Sequence, residues 1–299
     1  TLVDGICNSC NPYMIWLGQK MGRHTFFNFF EAFGFTQRTG IDLPGEADSL
    51  YFTEDQLNTS ELATSSFGQN FSITPIQMIT AIAAVANGGY IVQPHVVDRM
   101  LDSDGNIVKT TDTSYKRQVI SEDVSKRMTA ILQKNATSES GKNGYVAGYR
   151  VAGKTGTSEK VALYYQDLAE GNDRGMQYVV SYGGYAPADD PQYALLVFYD
   201  EPQIGGASGG TQAGPIFAAI MEEVLPYLGV DPQYTETEYE NLSATAPNVI
   251  GMTMAEAKSY LEEQGFSGTV VGDAEDDALV TVQVPSPGAS IPKEGMVAL

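Results

Sequence analysis

The pattern of apolar and polar residues predicts its clearest helix at residues 73–89. Thr74 and Gln77 form a capping box, Pro75 takes the first helical position, and Gly88 ends the helix. Apolar residues in this stretch recur at the spacing of one helical face. The predicted core face is the stripe Ile76, Ile79, Ala83 and Ala86.

The other periodic stretches predict a mixture of helices and strands. Helices are expected over residues 11–35 (two short ones, the second ending at Gly34), 121–136, 212–229 and 253–265. Strands are expected over residues 149–160, in a hairpin over 95–111, and in a pair over 178–202. Because these elements make a sheet with helices packed on it, the predicted fold class is α+β.

Composition divides the chain into two domains. Residues 231–245 are acidic, polar and poor in core residues, which is typical of a linker. The larger domain then covers residues 1–230, and a small α+β unit covers residues 246–299.

The chain is strongly acidic, which limits its partners. Its 299 residues carry a formal net charge of −20, with a pI of about 4.3. Such a surface repels phosphate backbones and anionic headgroups, so we expect neither nucleic-acid binding nor a basic membrane-docking patch. No apolar run is long enough to span a bilayer. Since the chain has no starting methionine and no signal peptide, we expect it to be a piece of a longer protein.

Two cysteines form a C-x-x-C pair near the start of the chain. Cys7 and Cys10 are the only cysteines, and His24 and His95 are the only histidines. A zinc site needs more ligands than this set supplies, so no metal is expected. A redox-sensitive pair and two unrelated thiols both remain open.

A predicted strand that carries a lysine and a glycine in its middle is the first chemical clue. Lys154-Thr155-Gly156-Thr157 lies within residues 149–160. A lysine facing a cleft supplies a positive charge or helps to move a proton, and a glycine leaves room for a peptide along the strand. The two threonine hydroxyls can donate to a carboxylate, and the Thr157 N–H can face an oxyanion. An exposed lysine before a turn is the alternative.

The segment Ser9-Cys10-Asn11 is the second clue. It lies just before a predicted helix, where the Ser9 hydroxyl and the Asn11 amide could face a cleft. The alternative is that one of them caps the helix, with Pro12 at the first helical position.

Together these motifs resemble those of class B penicillin-binding protein transpeptidases, which combine S-x-x-K, an S-x-N element and K-T-G. The segments 66–94, 183–202 and 209–229 are similar to the family's long helix, paired strands and closing helix, and 247–299 is similar to a PASTA domain. The resemblance implies the C-terminal part of a β-lactamase-like transpeptidase domain, with an antiparallel sheet flanked by helices, followed by a small α+β PASTA domain.

The resemblance also implies roles for individual residues. Ser9 would relay a proton, Asn11 would orient the substrate, and Lys154 would support the relay. Thr155, Gly156 and Thr157 would bind the substrate, through its carboxylate and its developing oxyanion. The implied reaction cross-links peptidoglycan stem peptides through a serine acyl-enzyme without a cofactor, and β-lactams imitate the stem-peptide end.

One departure from the family pattern concerns the nucleophile. The sole S-x-x-K begins at Ser290 in the tail, where Pro292 and the turn context make it a coincidence. We therefore expect the catalytic serine, its lysine and a membrane anchor to precede Thr1. This chain alone should be inactive, and its incomplete sheet should expose an edge that favours poor solubility or domain swapping.

Cys10 stands where the quoted S-D-N form has aspartate. Because the resemblance implies an extracytoplasmic setting, where thiols can oxidise, a disulfide from Cys10 to Cys7 or to a cysteine outside this sequence would distort the turn and stop activity.

Other interpretations and partners remain open. A catalytically silent penicillin or muropeptide sensor is the main alternative; a kinase-receptor ectodomain and a β-lactamase fit the sequence less well. A cell-wall glycosyltransferase is an expected partner. Elongation, division and spore-cortex synthesis are all possible settings, and the PASTA-like tail could be structural rather than a sensor.

Overall fold

The computed structural model describes residues 1–203, 207–271 and 274–299. The chain divides into two compact units, Thr1–Asp231 and Pro232–Leu299. The first unit contains eight α-helices within the described residues: α1 Leu2–Cys7, α2 Asn11–Met21, α3 Arg23–Ala32, α4 Thr59–Ser65, α5 Pro75–Ala86, α6 Glu122–Ala136, α7 Val161–Ala169 and α8 Gly209–Tyr227. Its strands are β1 Tyr90–Ile91, β2 Arg99–Leu101, β3 Ile107–Thr110, β4 Arg117–Gln118, β5 Ala152–Glu159, β6 Tyr178–Ala186 and β7 Tyr193–Asp200.

The main sheet of the first unit is antiparallel, in the order β5-β6-β7. Lys154 lies opposite Gly183, and Tyr182 lies opposite Val197. The helices α5, α6 and α8 pack against these strands. This arrangement confirms the α+β class and the predicted antiparallel sheet with flanking helices.

The core behind the sheet forms because α8 presents a row of large apolar side chains to β6. Phe217, Met221 and Leu225 recur every four residues along α8, and all are at most 2% exposed. The ring of Phe217 packs on Tyr182, with 4.7 Å between ring centroids. The Tyr182 hydroxyl donates to the carbonyl of Gly141 at 3.0 Å, and burial raises the pKa of this tyrosine.

Helix α5 has the predicted cap but buries a different face. Thr74 and Gln77 form the capping box, with Pro75 at the start, as predicted. The predicted stripe is only partly buried, whereas the buried positions are Gln77, Thr80, Ala81 and Ala84.

The predicted face was wrong because hydrogen bonds satisfy the polar groups of Gln77 and allow its burial. The Gln77 amide donates to the carbonyl of Gln37 at 2.8 Å and to the Ser49 hydroxyl at 2.7 Å, and its oxygen accepts from Thr74 N–H at 2.8 Å. A glutamine with these partners can be buried at little cost, and small alanines beside it allow close helix packing.

The predicted hairpin and the helix over residues 121–136 are confirmed as β2-β3 and α6. Ser121 caps α6 by accepting from the Val124 N–H. All residues of β2 and β3 are exposed.

The second unit contains α9 Glu236–Leu242, β8 Ser243–Thr245, α10 Met254–Glu263, β9 Ser267–Thr269, β10 Ser290–Pro292 and β11 Met296–Ala298. Helix α10 has the predicted Thr253–Glu256 capping box. Residues 231–245, predicted as a linker, include α9 and β8, and β8 pairs with β10 of the same unit. The boundaries 1–230 and 246–299 stay predictions.

Candidate active site

A tight turn between α1 and α2 carries the S-x-N element. The N–H groups of Ser9 and Cys10 donate to the carbonyls of Ile6 and Gly5 at 3.1 and 2.9 Å, which ends α1. Ser9 has a φ of 46°, a left-handed conformation that glycine or asparagine usually adopts at such a position. A serine that adopts a strained backbone is typical of a functional position.

The turn also decides between the capping and cleft interpretations. The N-cap of α2 is Cys10, and it makes no side-chain capping bond. Neither Ser9 nor Asn11 therefore serves as the helix cap. Both are exposed and line one groove together with Lys154, Thr155 and Gly156.

Lys154 joins the two walls of this groove. Its Nζ donates to the Ser9 Oγ across the groove and to the Thr155 carbonyl and Oγ1, both at 3.2 Å. Burial lowers the pKa of Lys154 below that of an ordinary lysine. Within the described residues no carboxylate lies within 4.0 Å of Nζ, so the charge of Lys154 is available to a ligand.

Thr157 and Gly156 of β5 contact Gly209, the first residue of α8. The Gly209 N–H donates to the Thr157 Oγ1 at 3.1 Å, which leaves the hydroxyl hydrogen free to donate to a ligand. A Cβ on Gly209 would lie 2.2 Å from the Ser181 carbonyl oxygen and 2.4 Å from that of Gly156. Only glycine fits there, so α8 can begin directly beside the strand that carries Lys154.

Sequence reasoning missed the groove wall formed by residues 139–143. The Ser140 Oγ donates to the Cys7 carbonyl at 2.7 Å, and the Asn143 Nδ2 donates to the Gly210 carbonyl at 2.9 Å. Glu139 lines the same groove. These contacts join residues far apart in the chain, so the only local signal was a run of polar residues shortly before the K-T-G strand.

The two cysteines lie at the two ends of the S-x-N turn. Cys7 is buried as the last residue of α1, Cys10 is half-buried as the cap of α2, and both are free thiols. In the described part of the chain, no group of three or more His, Cys, Asp or Glu side chains could hold a metal ion. No helix there is long and apolar enough to cross a membrane.

Comparison with known protein families matches two parts of this chain. The family described as the penicillin-binding protein transpeptidase domain matches residues 1–222, and the PASTA domain family matches residues 244–299. The chain belongs to the penicillin-binding protein transpeptidase family. It also carries a PASTA domain, so both predicted resemblances are confirmed.

Several members of the transpeptidase family are similar to this chain. Stage V sporulation protein D of Bacillus subtilis is 36% identical over 99% of this chain and 45% of its own length. The peptidoglycan D,D-transpeptidase FtsI of Escherichia coli is 28% identical over 81% of this chain and 38% of its own length. The crystal structure of penicillin-binding protein 3 from Mycobacterium tuberculosis, complexed with aztreonam, aligns with a TM-score of 0.68 at 26% identity, covering 79% of this chain and 53% of that one.

This transpeptidase-family chain spans less than half the length of the curated relatives named above. The roles of its groove residues in a reaction are therefore matters for proposal.

Proposed function

We propose that this chain forms one part of a peptidoglycan D,D-transpeptidase, the part that holds the substrate. The contact between the Lys154 Nζ and the Ser9 Oγ carries this proposal, because it brings the S-x-N and K-T-G elements to opposite sides of one groove. The names of the relatives, which include penicillin-binding proteins and peptidoglycan D,D-transpeptidases, support it.

The groove residues take the roles that the family resemblance implies, and the contacts of Lys154 and Thr157 support two of these roles. Lys154 lowers the cost of moving a proton through Ser9, since its ammonium donates to the Ser9 Oγ and stabilises the negative charge that develops there. Asn11 offers an amide to the substrate backbone. Thr155 and Thr157 donate hydroxyls to the substrate carboxylate, and the Thr157 N–H faces the oxyanion. Gly156 lets the substrate lie along the strand beside the Ser181 side chain, since a Cβ at this position would lie 2.5 Å from the Ser181 Oγ.

The nucleophile in this proposal is the serine of an S-x-x-K element that precedes Thr1 in the whole protein. Its Oγ bonds to the carbonyl carbon of the penultimate D-alanine while its proton passes to a base. The bond to the terminal D-alanine then breaks, and the leaving amine takes a proton. The amino group of a second stem peptide attacks the resulting ester and releases the serine. No cofactor enters these steps.

The proposed substrates and inhibitors are stem peptides and β-lactams. We propose an extracytoplasmic location, with a membrane anchor outside this sequence and a glycosyltransferase as a cell-wall partner. Because the chain has a formal net charge of −20, we do not expect it to bind nucleic acid.

Covalent labelling with a fluorescent penicillin tests this function. The protein extended to include its S-x-x-K serine should label, and this chain alone should not. An extended protein that binds penicillin only reversibly would instead support the silent sensor, and one that binds none would contradict both functions.

Oxidation of Cys10 should reduce penicillin labelling of the extended protein. A disulfide from Cys10 to Cys7, or to a cysteine outside this sequence, would distort the turn that places Ser9 beside Lys154. Labelling of the wild-type protein should fall after treatment with an oxidant and return with dithiothreitol. The Cys10→Ser variant should label at the same rate before and after both treatments. Equal labelling of the oxidised and reduced wild-type protein would refute the switch.

A further inference from the structure

Asn135, the second-last residue of α6, is a buried amide with no role so far in the proposed reaction. Its exposed fraction is 0%, and it is not among the described residues that line the groove. The Asn135 Nδ2 donates to the carbonyl of Gly153 at 2.7 Å, and Gly153 directly precedes Lys154 in β5. The side chain therefore reaches the K-T-G strand from the protein interior, where it cannot touch a substrate.

This asparagine contributes little net stability. Its Oδ1 is buried, and no donor among the described residues bonds to it. A buried polar atom without a partner is destabilising, and this cost offsets much of the modest gain from the bond that Nδ2 makes. The main consequence of the Asn135 side chain is therefore where it holds the strand.

Strand β5 benefits from such an anchor because it lies at the edge of the main sheet. Within the described residues it pairs only with β6. A Cβ on Gly153 would lie 2.6 Å from the Tyr182 ring, so this position carries no side chain and can be held only through its backbone. The bond from Asn135 supplies that hold one residue before Lys154.

Asn135 is also connected to the S-x-N turn. Its carbonyl accepts from the Ser138 Oγ at 2.6 Å, and the Ser138 and Ser140 hydroxyl oxygens lie 3.2 Å apart. The Ser140 Oγ donates to the carbonyl of Cys7, the last residue of α1, at 2.7 Å. One series of polar contacts thus joins Gly153 to the start of the S-x-N turn, and it sets the separation of the two sides of the groove.

We infer that Asn135 is a positioning residue, which holds Lys154 within reach of the Ser9 Oγ. This inference rests on the proposed function, in which Lys154 assists proton transfer through Ser9. Without the bond from Asn135 the edge strand is free to shift, and a misplacement of about 1 Å in an active site can cost about 10²-fold in rate.

Two variants of the protein extended to include its serine test this role. Asn135→Leu removes the bond, so the second-order rate constant for labelling by a fluorescent penicillin should fall by about tenfold to 10²-fold. Asn135→Asp keeps the shape of the side chain. Its neutral carboxyl group can donate to the Gly153 carbonyl, whereas its carboxylate repels that oxygen, so the ratio of its rate to the wild-type rate should fall as the pH rises. A purely structural role would leave this ratio independent of pH in the folded variant.

The lysine gives a second readout, which needs only the present chain. With lysine labelled with ¹³C at Cε, the resonance that disappears in Lys154→Arg reports the pKa of Lys154 in a pH titration. Burial lowers this pKa in the wild type. Asn135→Leu should raise it toward the value of an ordinary lysine, because the ammonium is no longer held in its buried position.

Gln77→Leu is the matched control. Gln77 is also a buried amide of the first unit, it donates to the carbonyl of Gln37, and it does not line the groove. This variant should be less stable but, while folded, should keep the wild-type labelling rate and the wild-type pKa of Lys154.

Either a wild-type labelling rate or an unmoved pKa of Lys154 in folded Asn135→Leu overturns the positioning role. If that variant does not fold, a rate ratio for Asn135→Asp that stays constant with pH overturns it instead. An extended wild-type protein that does not label refutes the proposed function, and the pKa of Lys154 in the present chain then decides whether Asn135 positions this lysine.

Discussion

Replacing Lys154 with methionine should slow penicillin acylation of the serine-containing protein by about 10²–10⁴-fold, the usual effect of losing a group that assists proton transfer. Methionine has a similar length but supplies neither charge nor a hydrogen-bond donor. The Ser9 Oγ would then lose its contact with Nζ, and the groove would lose its positive charge. The second-order rate constant for labelling by a fluorescent penicillin measures the effect.

Lys109→Met provides the control for this variant. Lys109 lies on the exposed strand β3, away from the groove, so its rate constant should stay at the wild-type value. A Lys154→Met rate within a factor of about two of the wild type would show that this lysine has no part in acylation.

Lys154→Arg separates charge from proton transfer. Because burial lowers the pKa of Lys154, the wild-type ammonium loses its proton at a lower pH than an ordinary lysine, while arginine stays charged. Reversible binding of a carboxylate peptide should therefore weaken at alkaline pH in the wild type and stay constant in the arginine variant. The stability of the fold changes with pH in the opposite direction. Between the lowered pKa of Lys154 and the pKa of an ordinary lysine, the unfolded state binds more protons than the folded state, so the free energy of unfolding rises with pH.

Replacing Phe217 with alanine should lower the free energy of unfolding of the first unit by about 3–5 kcal/mol, as for other large-to-alanine core changes. Phe217 is fully buried against Tyr182. The Tyr182 ring in turn packs so tightly on Gly144 and Gly153 that a Cβ would lie 2.2 and 2.6 Å from it. A cavity at Phe217 thus removes support from the strand and the turn beside the groove.

Urea denaturation followed by circular dichroism measures this loss. Phe198→Ala is the matched control, because Phe198 on β7 is 45% exposed, and we expect it to cost less than half as much. A loss below about 1 kcal/mol for Phe217→Ala would mean that the α8–β6 contact is not the centre of the core.

The sequence predicted most of the elements because their signals are local. The capping boxes of α5 and α10, the Ser121 cap of α6 and the β2-β3 hairpin all depend on residues within a few positions of one another. Such signals survive in the folded protein because they satisfy the first backbone groups of each helix, whatever packs on it later.

The prediction of the buried face of α5 was wrong because burial there depends on residues that are far away in the sequence. Hydrophobicity favoured Ile76 and Ile79, but Gln77 is buried because residues 37 and 49 supply partners for its amide. No local pattern reveals partners that lie dozens of positions away.

For the site, the sequence by itself determined which residues could do the chemistry: the S-x-N element, the K-T-G strand and a pair of thiols. Tertiary structure decided that Ser9 and Lys154 meet across one groove, and it added Glu139, Ser140 and Gly209 to the walls. These residues become neighbours because distant parts of the chain pack together. The Ser140 Oγ donates to the Cys7 carbonyl, and Gly209 packs against the Ser181 carbonyl. Contacts of this kind produce no periodic pattern in the sequence, because they require only that two packed surfaces have complementary shapes.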